Sequence, residues 1–297
     1  MKLQPRAGFS YYPGCSLEGM NRAYDKSARL VSKELGIDLA ELDDWNCCGA
    51  SAYMSIRELR AHLLSARNLA LAEREKKDLA VVCPACFTNL TKTNQYMGED
   101  PKLRRIVGSA LKAANLQYLG TVRVRHLLDV IVNDIGQSDV KAKVTRPLSG
   151  LKVAPYYGCQ FTRPLGEYDD KEFPMMLDTL LTWLGAEPVS FPLKAKCCGG
   201  ILMTTNQSVA LTLVRSLLDC ATQNGAECIA TICPLCHMSL EAYQGDVNKE
   251  FSTNFKVPMF YFTQLIGLAF GFGRKELGID QELVSSKTVL EKRLVVT

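Results

Sequence analysis

Ten of the twelve cysteines in this 297-residue chain fall into two copies of one pattern. The first copy is Cys15, then Cys47-Cys48, then Cys83-Pro84-Ala85-Cys86. The second is Cys159, then Cys197-Cys198, then Cys233-Pro234-Leu235-Cys236. In both copies 34 residues separate the adjacent pair from the Cys-x-x-Cys. The pair follows the first cysteine after 31 residues in one copy and 37 in the other, so the offset between copies is 144 at the first cysteine and 150 everywhere else. Soft thiolates select zinc, copper(I) or iron–sulfur centres. Four suffice for a structural zinc or a cubane cluster, and each copy supplies five. Cys-x-x-Cys clamps one metal well, whereas neighbouring cysteines diverge and suit a larger cluster with several metal atoms. An iron–sulfur centre in each copy is therefore the expectation. Zinc and metal-free catalytic dithiols are the alternatives.

Elements must bring these scattered cysteines together. Phe9–Tyr12 and Lys152–Tyr157 read as short strands running into a glycine turn at the first cysteine. Ala23–Leu35 has helical periodicity and stops at Gly36. Ile37–Leu42 and Pro188–Leu193 read as strands leading to the cysteine pairs, and Leu79–Val82 and Ile229–Ile232 as strands ending at each Cys-x-x-Cys. Ile56–Lys77 and Gln207–Asn224 are the longest helical stretches. Alternating strands and helices predict an α/β fold with a parallel sheet in each half, the cysteines converging at its carboxyl edge. A period of 150 is too long for a solenoid and implies two homologous Rossmann-like domains related by pseudo-twofold symmetry. The expected organisation is a first domain over 1–140, a second over 150–273 and a C-terminal extension over 274–297, with Gly136–Gly150 as linker. The extension has no counterpart in the first repeat and either wraps the body or meets a partner.

Composition narrows the function. Charged residues make up 22%, with 35 Lys and Arg against 31 Asp and Glu, a net +4 too mild to imply nucleic-acid binding. No apolar run approaches the roughly 20 residues of a membrane span. The N-terminus over 1–8 lacks the apolar core of a signal peptide, so a cytoplasmic location is expected. In a reducing compartment, clustered cysteines hold metal or do redox chemistry more often than they form bridges.

The duplicated Cys-x31-Cys-Cys-Gly-x33-Cys-x-x-Cys, with its Tyr12-Pro13-Gly14-Cys15 lead-in and the Asp100-Pro101-Lys102-Leu103 helix start, resembles the two CCG domains of the B-type subunit of heterodisulfide reductase. The resemblance runs from about Phe9 to Leu294. It implies that Cys15, Cys47, Cys48, Cys83 and Cys86 hold one noncubane [4Fe-4S] cluster, and that Cys159, Cys197, Cys198, Cys233 and Cys236 hold the other. It further implies a catalytic subunit in which a disulfide sits between two clusters and is reduced, or thiol or sulfur substrates are oxidised. Its implied partners are a small ferredoxin-like subunit with cubane clusters and, beyond it, a flavoprotein subunit. The run Cys47-Cys48-Gly49-Ala50-Ser51-Ala52-Tyr53 is closer to the heterodisulfide-reductase-like subunits of bacteria and archaea, including sulfur-oxidising systems. That points away from coenzyme M–coenzyme B and toward another disulfide, a persulfide or lipoate-bound sulfur. Duplicated CCG domains also occur as electron-relay subunits of succinate dehydrogenase, fumarate reductase and 2-hydroxy-acid oxidase complexes, which is the alternative function.

Other candidates take plainer readings. Cys220 and Cys228 lie outside the pattern and read as small buried hydrophobes. His62 reads as surface or satisfied core, and His126 as a residue of a strand-to-helix junction. His237 directly follows Cys236 and reads as a structural residue beside the cysteines, with proton donation to a departing thiolate as the alternative. Gly199-Gly200 reads as a turn or as a close approach of backbone amides to sulfur. Lys194, Lys196 and Arg163 read as solvated surface or as attractors of an anionic substrate, and Trp45 and Trp183 as core. No Gly-x-Gly-x-x-Gly loop occurs, so no nucleotide cofactor is indicated.

Overall fold

The computed structural model describes residues 7–50, 52–163 and 169–293. The readings made at 1–6, Ser51 and 294–297 fall outside the described residues. Among the described residues eight strands form two parallel sheets: β1 (Ala7–Tyr12), β2 (Ile37–Glu41), β3 (Asp78–Val81) and β4 (Val124–His126) in one, β5 (Lys152–Tyr156), β6 (Glu187–Pro188), β7 (Cys228–Thr231) and β8 (Met259–Tyr261) in the other. Their orders, β2-β1-β3-β4 and β6-β5-β7-β8, are the same topology twice. Register repeats as well: Tyr12 pairs with Val81 where Tyr156 pairs with Thr231. The expected architecture of two homologous α/β domains is the one found.

Strand alternation explains how the sheets pack. In β1, Phe9 and Tyr11 face a core shared by both repeats, while Tyr12 faces a core belonging to the first alone. In β5, Val153 enters the shared core and Ala154 and Tyr156 the second repeat's own. The helices α1 (Arg22–Glu34), α4 (Met176–Trp183) and α7 (Phe262–Phe270) contribute Val31, Leu177, Leu181, Leu265 and Ile266 to that shared core. On the outer faces lie α2 (Glu58–Arg74) and α3 (Pro84–Glu99) in the first repeat, α5 (Gln207–Gln223) and α6 (Pro234–Ala242) in the second. α3 and α6 each begin at the proline of a Cys-Pro-x-Cys, where proline's fixed φ and missing donor cost nothing.

Three expectations are corrected. The strand predicted over Pro188–Leu193 shrinks to Glu187–Pro188 at a sheet edge, because Pro188 and Pro192 lack the donors a ladder needs. The helix predicted over Ile56–Lys77 is two, Ala52–Ile56 and Glu58–Arg74, separated by Arg57 in a non-helical conformation (φ −144°, ψ 64°). Within Gly136–Gly150, read as a linker, Gly136–Lys143 is helical. Val140 and Leu148 reach the shared core, and the Leu148 amide donates to the Leu184 carbonyl at 2.9 Å. Two apolar residues so far apart leave no periodic signature. The C-terminal segment wraps the body: Leu277, Ile279 and Leu290 are buried in the shared core, and Arg293 pairs with Glu227 at 2.9 Å.

Candidate metal centre

Each first cysteine follows β1 or β5, each Cys-Cys pair follows β2 or β6 through a loop, and each Cys-x-x-Cys follows β3 or β7. Parallel strands place all of these at one carboxyl edge per sheet. In the first repeat the Cys15 and Cys47 sulfurs lie 3.6 Å apart, and those of Cys48 and Cys86 3.4 Å. Cys159 with Cys197 and Cys198 with Cys236 interact in the same pairs in the second repeat. Cys15, Cys47 and Cys197 are exposed and Cys159 half-buried, whereas Cys48, Cys83, Cys86, Cys198, Cys233 and Cys236 are buried. Each array thus has an open mouth and a buried floor. The floors face each other across the junction between repeats, where one hydroxyl, that of Tyr24, lies 2.9 Å from the carbonyls of both Val82 and Ile232, the residues before Cys83 and Cys233.

Duplicated scaffolding fixes these positions. The Tyr12 hydroxyl donates to the Asn46 carbonyl at 2.8 Å, and the Tyr156 hydroxyl to the Lys196 carbonyl at 2.7 Å, each just before a cysteine pair. Gly14 (φ 75°) and Gly158 (φ 70°) let the first-cysteine turn pass close to the floor: a Cβ would lie 3.1 Å from the Cys86 sulfur at Gly14, and 2.8 Å from that of Cys236 at Gly158. Gly49 and Gly199 let the pairs approach α2 and α5, where a Cβ would meet the Ala61 and Ala210 Cα atoms at 3.0 Å.

The electrostatics favour a thiolate at one cysteine of each mouth, Cys47 or Cys197, and hold its partner, Cys15 or Cys159, as a thiol that hydrogen-bonds to it. Hydrogen bonding from Cys15 and Cys48, with the Gly49 amide adding, holds the Cys47 thiol far below the usual range, and Cys159, Cys198 and the Gly199 amide do the same at Cys197. The reading of Gly199-Gly200 as amides facing sulfur matches the structure: they donate to the Cys197 and Cys198 sulfurs at 3.3 and 3.4 Å. The sulfurs approach in pairs, and among the described residues no three Cys, His, Asp or Glu side chains gather as a single ion would require. Soft donors, amides aimed at sulfur and backbone cradles open only for lack of a Cβ fit an iron–sulfur cluster in each array.

One tyrosine acts on both repeats at once. Tyr24 of α1 is fully buried, and its hydroxyl lies 2.9 Å from both the Val82 and Ile232 carbonyls, the residues before Cys83 and Cys233. A single side chain therefore pins both Cys-x-x-Cys motifs.

The remaining candidates fall into place. His62 is buried with its Nδ1 2.8 Å from the Thr93 hydroxyl, a satisfied core residue. Cys228 is buried and Cys220 only partly so. Trp45 and Trp183 are partly buried against the cores. Arg163 is paired with Glu172, and Lys196 is exposed. Lys194 corrects its reading as solvated surface. It is 1% exposed, with Nζ 2.6 Å from Asp178, 3.0 Å from the Pro174 carbonyl and 4.3 Å from the Phe173 ring. Its own carbonyl accepts from the Tyr157 and Gly158 amides, tying the Cys159 turn to the loop before Cys197. Lys194→Met should cost about 3 kcal/mol, since it strands a buried carboxylate. A chemical-denaturation midpoint unchanged from the parent would contradict this.

His126 ends β4, as expected of a strand-to-helix junction. Its Nε2 lies 3.0 Å from the Val82 carbonyl, and its Nδ1 accepts from the Leu128 amide. Burial lowers its pKa to about 4. The unfolded chain takes up this proton near pH 6.5, so the contribution to stability is present above pH 6.5 and falls away toward pH 4. Between about pH 7 and 5 the loss attributable to His126 should be about 2 kcal/mol. Parallel pH–stability curves for the parent and His126→Gln would contradict it.

Two homologous α/β domains, each presenting five cysteines at the carboxyl edge of a parallel sheet, define a duplicated cysteine-rich protein. The cysteine-rich CCG domain matches residues 9–91 and 153–241. The B-type subunit of the ferredoxin:CoB-CoM heterodisulfide reductase of Methanosarcina mazei is 32% identical over 95% of this chain and 96% of that protein. The 8-methylmenaquinol:fumarate reductase membrane anchor subunit of Wolinella succinogenes is 34% identical over 94% of this chain and 97% of that one. The chain belongs to the CCG family that contains the B-type subunits of heterodisulfide reductase. These relatives are subunits of reductase complexes. A solved structure of a hypothetical protein from Helicobacter pylori shares the fold, with a TM-score of 0.75 at 16% identity, over 95% of this chain and 53% of that one. Among the described residues no helix is long and apolar enough to cross a membrane.

Proposed function

We infer that this chain is the catalytic iron–sulfur subunit of a heterodisulfide-reductase-like complex, working on a sulfur–sulfur bond or on thiol or other sulfur substrates. Cys15, Cys47, Cys48, Cys83 and Cys86 would hold one noncubane [4Fe-4S] cluster; Cys159, Cys197, Cys198, Cys233 and Cys236 would hold the other. The observation that carries this reading is the Tyr24 hydroxyl 2.9 Å from both the Val82 and Ile232 carbonyls, which holds the two Cys-x-x-Cys floors side by side. A relay needs two centres within electron-transfer range, but not floors pinned by one shared side chain. Bound clusters would supply one-electron exchange on both sides of that junction. The chain's own part is to hold the two floors in register through Tyr24 and to exclude water there, since six of the ten cysteines are buried. The open mouths leave the outer sulfurs reachable for an electron-carrying partner, which the family suggests is a ferredoxin-like subunit with cubane clusters, backed by a flavoprotein subunit. A cytoplasmic setting fits this reading.

The Wolinella relative favours a second reading, an electron-relay subunit of a fumarate-reductase-type complex. The test is to purify the chain with its native partners under anaerobic conditions and supply a disulfide, a persulfide or a lipoyl substrate. Turnover of one of them supports the catalytic reading. Electron flow to a flavoprotein partner, with no turnover of any sulfur substrate, supports the relay.

A further inference from the structure

Tyr24 lies against both floors, but a hydroxyl has one proton to give. Its oxygen is 2.9 Å from the Val82 carbonyl and 2.9 Å from that of Ile232, and both of those residues are fully buried. A carbonyl oxygen only accepts. One of the two carbonyls must therefore find its hydrogen elsewhere or share the one that Tyr24 holds.

The first repeat has a second donor. His126 ends β4 opposite Val81, and its Nε2 lies 3.0 Å from the Val82 carbonyl. Its Nδ1 accepts from the Leu128 amide, so the proton of the neutral ring belongs on Nε2 and points at Val82. The second repeat carries a different residue at this place. Tyr261 ends β8 opposite Thr231. It lies flat on the Tyr24 ring, with centroids 4.0 Å and planes 8° apart, and its hydroxyl donates to the Asn21 side chain. Among the described residues the Ile232 carbonyl has no hydrogen-bond donor other than Tyr24. A buried carbonyl left unanswered is costly, so the Tyr24 proton does most good on Ile232.

Resting on the reading of an iron–sulfur centre in each array, we propose that the two floors are held by different donors: Tyr24 gives its proton to Ile232 and is a positioning residue of the second array, while His126 does the same work at Val82 for the first. Two arrays with the same five cysteines are thereby made unequal. A donor turned toward the carbonyl before Cys233 offsets the negative end of that C=O dipole, in a dry setting where dipoles act strongly. Without the donor, an electron added to the neighbouring centre meets an unscreened carbonyl, and the centre becomes harder to reduce.

Tyr24→Phe keeps the stacked ring and deletes only the hydroxyl, and His126→Leu deletes the other donor. Anaerobic redox titration of the iron-loaded full chain, followed by paramagnetic resonance, should show Tyr24→Phe lowering the reduction equilibrium of one centre about threefold, roughly 30 mV for one electron, and leaving the other in place. His126→Leu should move the other one. The signal that Cys197→Ser alters or removes marks the second array, and it should be the one that Tyr24→Phe moves. Stability gives a readout that needs no iron. With separate carbonyls served, each variant should lower the folding equilibrium about tenfold in chemical denaturation, and the double variant by the product of the two to within about twofold. Were Tyr24 a second donor to Val82 instead, each single change would be mild and the pair far worse than their product. That pattern, a shift of the same centre by both variants, or a Tyr24→Phe that moves both centres or neither would overturn the proposal. Iron and sulfide counts on the same samples report separately on the iron–sulfur reading, so failure of one is not mistaken for failure of the other.

Discussion

Serine in place of Cys47, or in place of Cys197, should leave a folded chain that keeps about half the parent's iron and sulfide, because each array is complete within one repeat. These two positions are the right ones to change. Both lie exposed at an array mouth, away from the buried floor of Cys83 and Cys233, which Tyr24 ties together. Substitution at Cys83 or Cys233 would disturb both arrays at once and blur the outcome. Near-complete loss of iron from either mouth variant, with circular dichroism unchanged, would show that the arrays do not assemble independently.

The same two variants carry the second large effect. Cleaving a disulfide takes two electrons and releases two sulfurs, and iron–sulfur centres ordinarily exchange electrons singly. With one array empty, the junction loses half of that capacity. Turnover of the sulfur substrate should fall by about a thousandfold or more in both Cys47→Ser and Cys197→Ser, roughly 4 kcal/mol or more in the barrier, while the surviving array is still reduced by the partner subunits. Conduction behaves differently: a surviving centre passes electrons more slowly but still passes them. Near-normal sulfur turnover in either variant would exclude catalysis between the arrays.

The two cysteine arrays were legible in the sequence because thiols are rare and their spacing repeats at 150 residues from Cys47 to Cys236. The sheets were legible from the short β-rich runs before Cys15, Cys83, Cys159 and Cys233. Residues acting from outside the cysteine pattern were not. Tyr24 works through two backbone carbonyls, one in each repeat, and a contact of that kind leaves no sequence pattern to recognise. Lys194 reads as solvent-facing by type, and its partner Asp178 lies on a separate helix. The helix at Gly136–Lys143 is held by tertiary packing of Val140 rather than by amphipathic periodicity.

Anaerobic purification of the full chain, followed by iron, sulfide and zinc counts and paramagnetic resonance of the oxidised and reduced protein, tests the central claim most directly. Two four-iron clusters predict about eight iron and eight sulfide per chain, with resonance signals from two centres. A preparation rich in zinc and free of iron and sulfide would contradict it.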